Sequence, residues 1–269
     1  MGYSTGLSFY IDVLGTMNRS FDELLKINTI FREELKEVKE RENPKSHMKR
    51  FFTSFSDCAY LIYVIKDEYI GDEDIKISCI YKSLYNTAST ICYFVINGFL
   101  VRGGVYFGEL YFNGKDNTVF GPAINNSYLL ESTGKMPRIV IDDELAKIIL
   151  DYDEKVKTKN IQARMLNGNI ILKDEVDGKY YLNYLNYLTG VGTVELKNGT
   201  YTFNTYYEKA KQFSEEAINS ARDYGVIAKH NWQINYLNSI KKYNESMPEM
   251  DTNEFMKIML MGAGLKIVD

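Results

Sequence analysis

Close to its start the chain carries Leu7 to Leu14 (LSFYIDVL), a run rich in β-formers with one acid in it, Asp12, and Gly15 at its end. Such a run reads as a buried strand. A carboxylate buried without a partner costs several kcal/mol, so whatever fold forms must bring compensation to Asp12. A basic side chain in a salt bridge, a strand end open to water, or a bound metal ion would each serve.

The pattern downstream of this strand limits the architecture. From Ser20 to Glu42 the apolar residues Phe21, Leu24, Leu25, Ile27, Ile30, Phe31, Leu35 and Val38 fall at helical spacing, with Ser20 and Glu23 placed as a capping box. Arg50 to Ile65 (RFFTSFSDCAYLIYVI) predicts two strands meeting at a tight turn around Ser56-Asp57, which puts a second acid at a hairpin. Ile75 to Phe99 predicts another long helix closed by Gly98, and Arg102 to Phe112 (RGGVYFGELYF) a glycine-punctuated strand. Phe120-Gly121-Pro122 opens a helix over Ala123 to Glu131, and Arg138 to Ile141 is again a strand.

Ile161 to Leu172 and Lys179 to Leu188 are strand-like, with Asp177-Gly178 as a turn before the second. Beyond Gly190 the character changes to a hairpin at Asn198-Gly199 and helices over Tyr206 to Ala221 and Ile227 to Tyr243, with a weaker amphipathic segment from Asn253 to Leu260. The order strand, helix, hairpin, helix, strand, helix, strand describes an α/β or α+β sandwich with helices packed on one sheet. A soft boundary near 190 separates residues 1–190 from a C-terminal hairpin and helical extension over residues 191–269.

Composition narrows the function classes. With 269 residues, 45% of them hydrophobic, the chain can bury a real core. Lys and Arg number 32 against 36 Asp and Glu, a formal charge of −4, which argues against a surface built to cover a nucleic-acid backbone. Cys58, Cys79 and Cys92 stand singly and only His47 and His230 accompany them, so a zinc site is not expected and a reducing compartment is. The acid inside the first apolar run is unlike a signal peptide, and Ile91 to Val101 is shorter than the roughly 20 residues that span a bilayer. The expectation is a cytoplasmic protein without membrane partners.

If the hairpin lies beside the first strand, Asp12 and Asp57 converge, and two like charges at close range call for a shared divalent ion. A pair of magnesium or manganese ions so held could orient a nucleoside triphosphate for phosphoryl transfer. The competing readings are a salt bridge for Asp12 and an ordinary turn residue for Asp57.

At these residues the sequence resembles the class III nucleotidyl cyclases, over roughly residues 5 to 190. Phe9-Tyr10-Ile11-Asp12-Val13-Leu14-Gly15-Thr16 looks like that family's first metal-binding strand, and Ser54-Phe55-Ser56-Asp57 its second, with Ser56 where Gly is usual. Arg102-Gly103-Gly104-Val105-Tyr106-Phe107-Gly108 is similar to the Gly-Ile-His-x-Gly strand. Phe120-Gly121-Pro122-Ala123-Ile124-Asn125 resembles the Trp-Gly-x-x-Val-Asn segment, followed by Leu130-Glu131-Ser132 and Pro137-Arg138-Ile139. No one piece is specific; their order and spacing together carry the likeness.

The resemblance implies a ferredoxin-like palm and two Mg2+ or Mn2+ ions per site on Asp12, Asp57 and the Val13 carbonyl. It also implies a homodimer in which Asn125 orients the ribose from the opposite subunit. Thr53 and Thr118 stand where purine cyclases read the base, and two short hydroxyls do not reproduce the purine patterns. Leu129 stands where the family keeps a transition-state arginine, which leaves Arg102, Lys135, Arg138, Lys173 and Lys179 as substitutes. Of these, Arg102 is the catalytic candidate and Lys179 joins Thr53 and Thr118 as substrate-binding candidates.

These departures, with Lys229-x-x-Trp232-x-x-x-Tyr236-x-Asn238, are similar to the Pycsar-type pyrimidine cyclases of bacterial antiphage defence. That likeness implies conversion of UTP or CTP to a 3′,5′-cyclic monophosphate, with the product acting on a separate effector protein. The alternatives are a purine cyclase, a catalytically silent nucleotide-binding module, and a polymerase-like or signalling synthase using the same acids. Helical spacing makes Trp232 a core residue rather than a ligand contact, and Met247 to Met261 a gap-filling apolar face.

Overall fold

The computed structural model describes residues 2–40, 45–114, 116, 118–157, 169–189 and 193–245. The expected first strand is β1 (Ser4–Val13), held between two antiparallel neighbours, β3 (Cys58–Ile65) and β4 (Val101–Asn113). Helix α1 (Phe21–Glu40) leads from β1 to β2 (Met48–Phe55), which forms a hairpin with β3, and α2 (Glu73–Ile96) leads from β3 to β4. This β-α-β-β-α-β unit, with strand order β2-β3-β1-β4, is a ferredoxin-like α+β palm: the pattern predicted helices on one sheet, and the resemblance implied the palm.

The sheet continues past β4. A short strand β5 (Thr118–Phe120) folds back on β4, and α3 (Pro122–Thr133) leads to β6 (Ile139–Ile141), which pairs parallel to β4. After α4 (Asp143–Lys157), β7 (Ile171–Lys173) and β8 (Tyr180–Leu182) complete an eight-stranded sheet of order β2-β3-β1-β4-β6-β8-β7 with β5 to one side. A separate hairpin of β9 (Val194–Leu196) and β10 (Gly199–Tyr201) precedes α5 (Phe203–Ser220) and α6 (Tyr224–Glu245).

Alternation along β1 sorts its side chains onto two faces. Leu7, Phe9, Ile11 and Val13 are buried in the main core with Ile27, Ile30 and Phe31 of α1 and Leu84, Ala88 and Ile91 of α2. These two helices are the expected layer on one face. On the other face, Ser8 Oγ meets Ser127 Oγ of α3 at 2.9 Å and Tyr10 packs edge-on against Tyr128 at 5.2 Å. Asp12 shares this second face. Gly104 lets α3 approach so closely, because a Cβ there would lie 2.3 Å from the Ser127 carbonyl oxygen.

The C-terminal helices add Tyr206, Tyr236, Leu237 and Ile240 to the same main core. Tyr206 donates to the Cys92 carbonyl at 3.0 Å, and Tyr236 donates to Asn183 Oδ1 at 2.6 Å. Trp232 stacks on Tyr236 at 5.5 Å and donates from Nε1 to Asp174 at 3.2 Å, a packing role in keeping with its helical spacing.

Three features differ from the sequence expectation. Helix α4 was not anticipated; Asp142 Oδ2 caps it by accepting from the Glu144 and Leu145 amides. The strand expected over Lys179 to Leu188 ends at Leu182, and Tyr184–Tyr187 form a 3-10 turn. The β9–β10 register pairs Leu196 with Gly199, so the loop residues are Lys197 and Asn198. Residues 161–168 of another expected strand, the Asn253 to Leu260 segment and Met247 to Met261 lie outside the described residues. Among the described residues no helix is long and apolar enough to cross a membrane.

The seating of α3 is testable through Gly104→Ala. Its new methyl group would overpack the contact, at a cost of about 1–3 kcal/mol. The denaturation midpoint should fall accordingly; an unchanged midpoint would mean that α3 does not rest on β4 in this way.

Candidate active site

Asp12 sits one residue before the end of β1, with Cys58 as its register partner on one side and Arg102 on the other. Directly opposed residues share a face, so the Arg102 side chain rises beside the carboxylate, and its Nε–H donates to Asp12 Oδ2 at 3.0 Å. The compensation that the buried strand required is therefore, in the first instance, a salt bridge. The same Nε also lies 2.5 Å from Glu131 Oε1, in the last turn of α3. Two acids share one arginine.

Side-chain exposure is 18% for Asp12 and 7% for Glu131, against 33% for Arg102. Burial pushes the Asp12 carboxyl above the usual carboxylate range; Arg102 works against the shift and the charge of Asp57 adds to it. Glu131 is raised by the same burial, with Arg102 again opposing and Asp12 reinforcing.

Asp57 reaches the same place from the β2–β3 turn. Phe55 and Cys58 are the last register pair, which leaves Ser56 and Asp57 as the loop residues. Ser56 takes φ 56, the left-handed conformation for which glycine is the default. The Asp57 carbonyl accepts from the Val13 amide at 3.0 Å, and its carboxylate accepts from the Thr16 hydroxyl in the turn after Gly15. Backbone and side-chain bonds together fix Asp57 against the end of β1.

The two acids and the Val13 carbonyl make an all-oxygen donor set, the chemistry that suits Mg2+ or Mn2+. Asp12, Asp57 and Glu131 outnumber Arg102, so the cluster keeps negative charge that a divalent cation would offset. The residues fit such an ion. Among the described residues no group of three or more His, Cys, Asp or Glu side chains is placed to hold a metal, so the carboxylates here would need further oxygens from a ligand or water.

The remaining candidates lie at varying distance from this end of β1. Thr53 is opposed to Tyr60, which is opposed to Tyr10, two residues before Asp12. Phe51, on the Thr53 side of β2, packs on Phe112 at 4.1 Å, and Phe112 pairs with Val119, the neighbour of Thr118. The β4–β5 hairpin thus carries Thr118 over the Thr53 side of the sheet. Asn125 is exposed on α3, six residues before Glu131 and about 9 Å back along the axis. Leu129, one turn after Asn125, is 56% exposed. Lys179 precedes β8, three strands from β1 and about 14 Å away by strand spacing. Arg138 is buried in ion pairs with Asp174 and Asp177, so it is not available as a substitute arginine.

Sequence reasoning assigned no role to Glu131, Thr16 or Lys229. Glu131 and Thr16 fell inside quoted motifs, but only the register of β1 and β4 and the close approach of α3 show what they touch. Helix α6 brings Lys229 near enough for its charge to favour ionised Asp12. Burial pushes neighbouring His230 down to about 4, and the Arg19 and Lys229 charges add to the shift.

No protein-family model matches the chain, and no curated protein matches it in sequence. Among solved structures, it is similar to the catalytic core of a rhodopsin-guanylyl cyclase with converted specificity in complex with ATPαS, at 14% identity and TM-score 0.40 over 68% of this chain and 96% of that one. It is also similar to the dimeric guanylyl cyclase domain of the RhoGC fusion protein from the aquatic fungus Blastocladiella emersonii, at 15% identity and TM-score 0.42 over 68% and 98%. A bacterial light-regulated adenylyl cyclase matches at 12% identity and TM-score 0.38 over 68% and 92%.

Replacing Arg102 with Met would leave Asp12 and Glu131 without their counter-charge. Both folded-state pKa values are already raised, so the folded form binds more protons than the unfolded one in the acid range. Losing Arg102 widens that difference. The variant should lose about 1–3 kcal/mol at neutral pH. Its deficit should shrink as pH falls toward the carboxylate range near pH 4–5, where protonation relieves the buried charges. Denaturant titrations at several pH values measure this, and a pH-independent deficit would show that the acids are not its source.

Proposed function

We propose that this chain is a nucleotidyl cyclase that converts UTP or CTP to the 3′,5′-cyclic monophosphate and pyrophosphate. The observation that carries the reading is the meeting of Asp12 and Asp57 at one strand end, with Arg102 beside them. Two Mg2+ or Mn2+ ions held by Asp12, Asp57 and the Val13 carbonyl would lower the pKa of the ribose 3′-hydroxyl and brace the triphosphate.

In the reaction the 3′-oxygen forms a bond to the α-phosphorus, its proton passes to water, and the bond from that phosphorus to the bridging oxygen breaks. Pyrophosphate leaves with the electron pair. Arg102 is one-third exposed, and its terminal guanidinium nitrogens would serve phosphate oxygens while Nε is engaged by acids. Asn125, exposed on α3, would orient the ribose of a nucleotide bound mainly by a second copy. Phe55 at 82%, Tyr128 at 50% and Leu129 at 56% exposure offer that copy an apolar rim.

The short hydroxyls of Thr53 and Thr118 support a pyrimidine, and Lys179 would complete substrate binding from the partner. In this reading the enzyme works in the cytoplasm and its product serves as a second messenger in antiphage defence, acting on a separate effector. The exposed Leu129 in place of an arginine favours, as a second reading, a silent nucleotide-binding module.

Incubation with each of the four ribonucleoside triphosphates and Mn2+ should consume UTP or CTP and release pyrophosphate. Asp12→Ala or Asp57→Ala should abolish turnover with folding retained. Activity surviving either change would remove the two-acid mechanism. Product from ATP or GTP alone would assign a purine cyclase, and nucleotide binding without pyrophosphate would select the silent module.

A further inference from the structure

Glu131 has a chemical position that the proposed reaction does not yet use. It is 6% exposed, and its Oε1 accepts no hydrogen bond among the described residues although Arg102 Nε lies 2.5 Å away. The reason is direction: the Nε–H is spent on Asp12 Oδ2 at 3.0 Å. A carboxyl oxygen so buried, next to a donor aimed elsewhere, is an acceptor waiting for that donor to turn.

A carboxylate that binds a divalent ion cannot also keep a guanidinium at full strength on the same oxygen. When Asp12 takes a cation, Arg102 Nε–H must find another acceptor or be left half-buried and unpaired. We propose that Glu131 is a positioning residue that receives the Arg102 Nε–H when Asp12 turns to a metal ion, holding the guanidinium beside the site instead of releasing it. The proposal rests on the metal-dependent reading of Asp12 and Asp57. It adds that metal loading is an exchange of one hydrogen bond between two acids that flank the same nitrogen. Glu131 touches neither the metal nor the nucleotide in this scheme and acts through Arg102.

The full chain can be tested without turnover. In the wild type, NMR of the Arg102 Nε–H, assigned by its loss in Arg102→Lys, should show a protected proton both before and after Mg2+ is added. In Glu131→Met, which removes the acceptor while keeping a side chain of similar size, the proton should be protected before Mg2+ and exchange rapidly after it. The same variant should bind Mn2+, followed by loss of the free-ion EPR signal, about tenfold more weakly, because Arg102 then competes for Asp12 with nowhere else to go.

Loss of protection in the wild type on Mg2+ addition, or unaltered Mn2+ affinity and Nε–H exchange in Glu131→Met, would overturn the role of Glu131 while leaving the cyclase reading in place. Failure of the wild type to bind Mn2+ at a site abolished by Asp57→Ala would overturn both. Should Glu131→Met fail to fold, the wild-type Nε–H measurement decides alone.

Discussion

The fold is organised around a charge that cannot be left alone. Asp12 stands on the central strand of the palm, flanked by strands on both sides, and its position fixes what must surround it. Arg102 answers from β4 because antiparallel register brings it opposite Asp12, and Glu131 answers from α3 because Gly104 lets that helix lie on the sheet. Strand pairing, helix seating and a shared arginine are thus a single arrangement. A slip of one residue in β4 would send Arg102 to the apolar face and strand both acids.

What was legible in the sequence was local. The run around Asp12 announced a buried strand, and Ser56-Asp57 between two β-rich stretches announced a tight turn; both follow from spacing and turn chemistry. The partner of Asp12 was legible only as a requirement, since nothing within LSFYIDVL says which of the chain's cations will pair with it. That answer lies in the β1–β4 register, fixed by packing between residues ninety positions apart.

Where local reading failed, tertiary contacts had decided the outcome. The Lys179 to Leu188 stretch is rich in tyrosine and apolar side chains, yet Tyr184, Leu185 and Leu188 bury at the spacing of a helical turn. Tyr236 of α6 then accepts the Leu185 amide at 3.0 Å, removing that donor from any ladder. Helix α4 carries the ordinary marks, an Asp142 cap and buried Leu145, Ala146 and Ile149, but these are brief among charged residues and say little until the sheet supplies their core.

The site's electrostatics also reach beyond the palm. Helix α6 is bound to the main core through Tyr236 and Leu237, and the same rigid helix carries Lys229 toward Asp12. A positive charge there opposes the desolvation of Asp12 without occupying the carboxylate as Arg102 does. The two cations would therefore have different consequences for a divalent ion of the kind proposed: Arg102 would have to be moved aside at Oδ2, whereas Lys229 makes no ion pair with the carboxylate among the described residues and acts through its charge. In the proposed reading the site gains and loses a cation, its resident arginine then needs a second place to rest, and the buried Glu131 would supply one within the same contact.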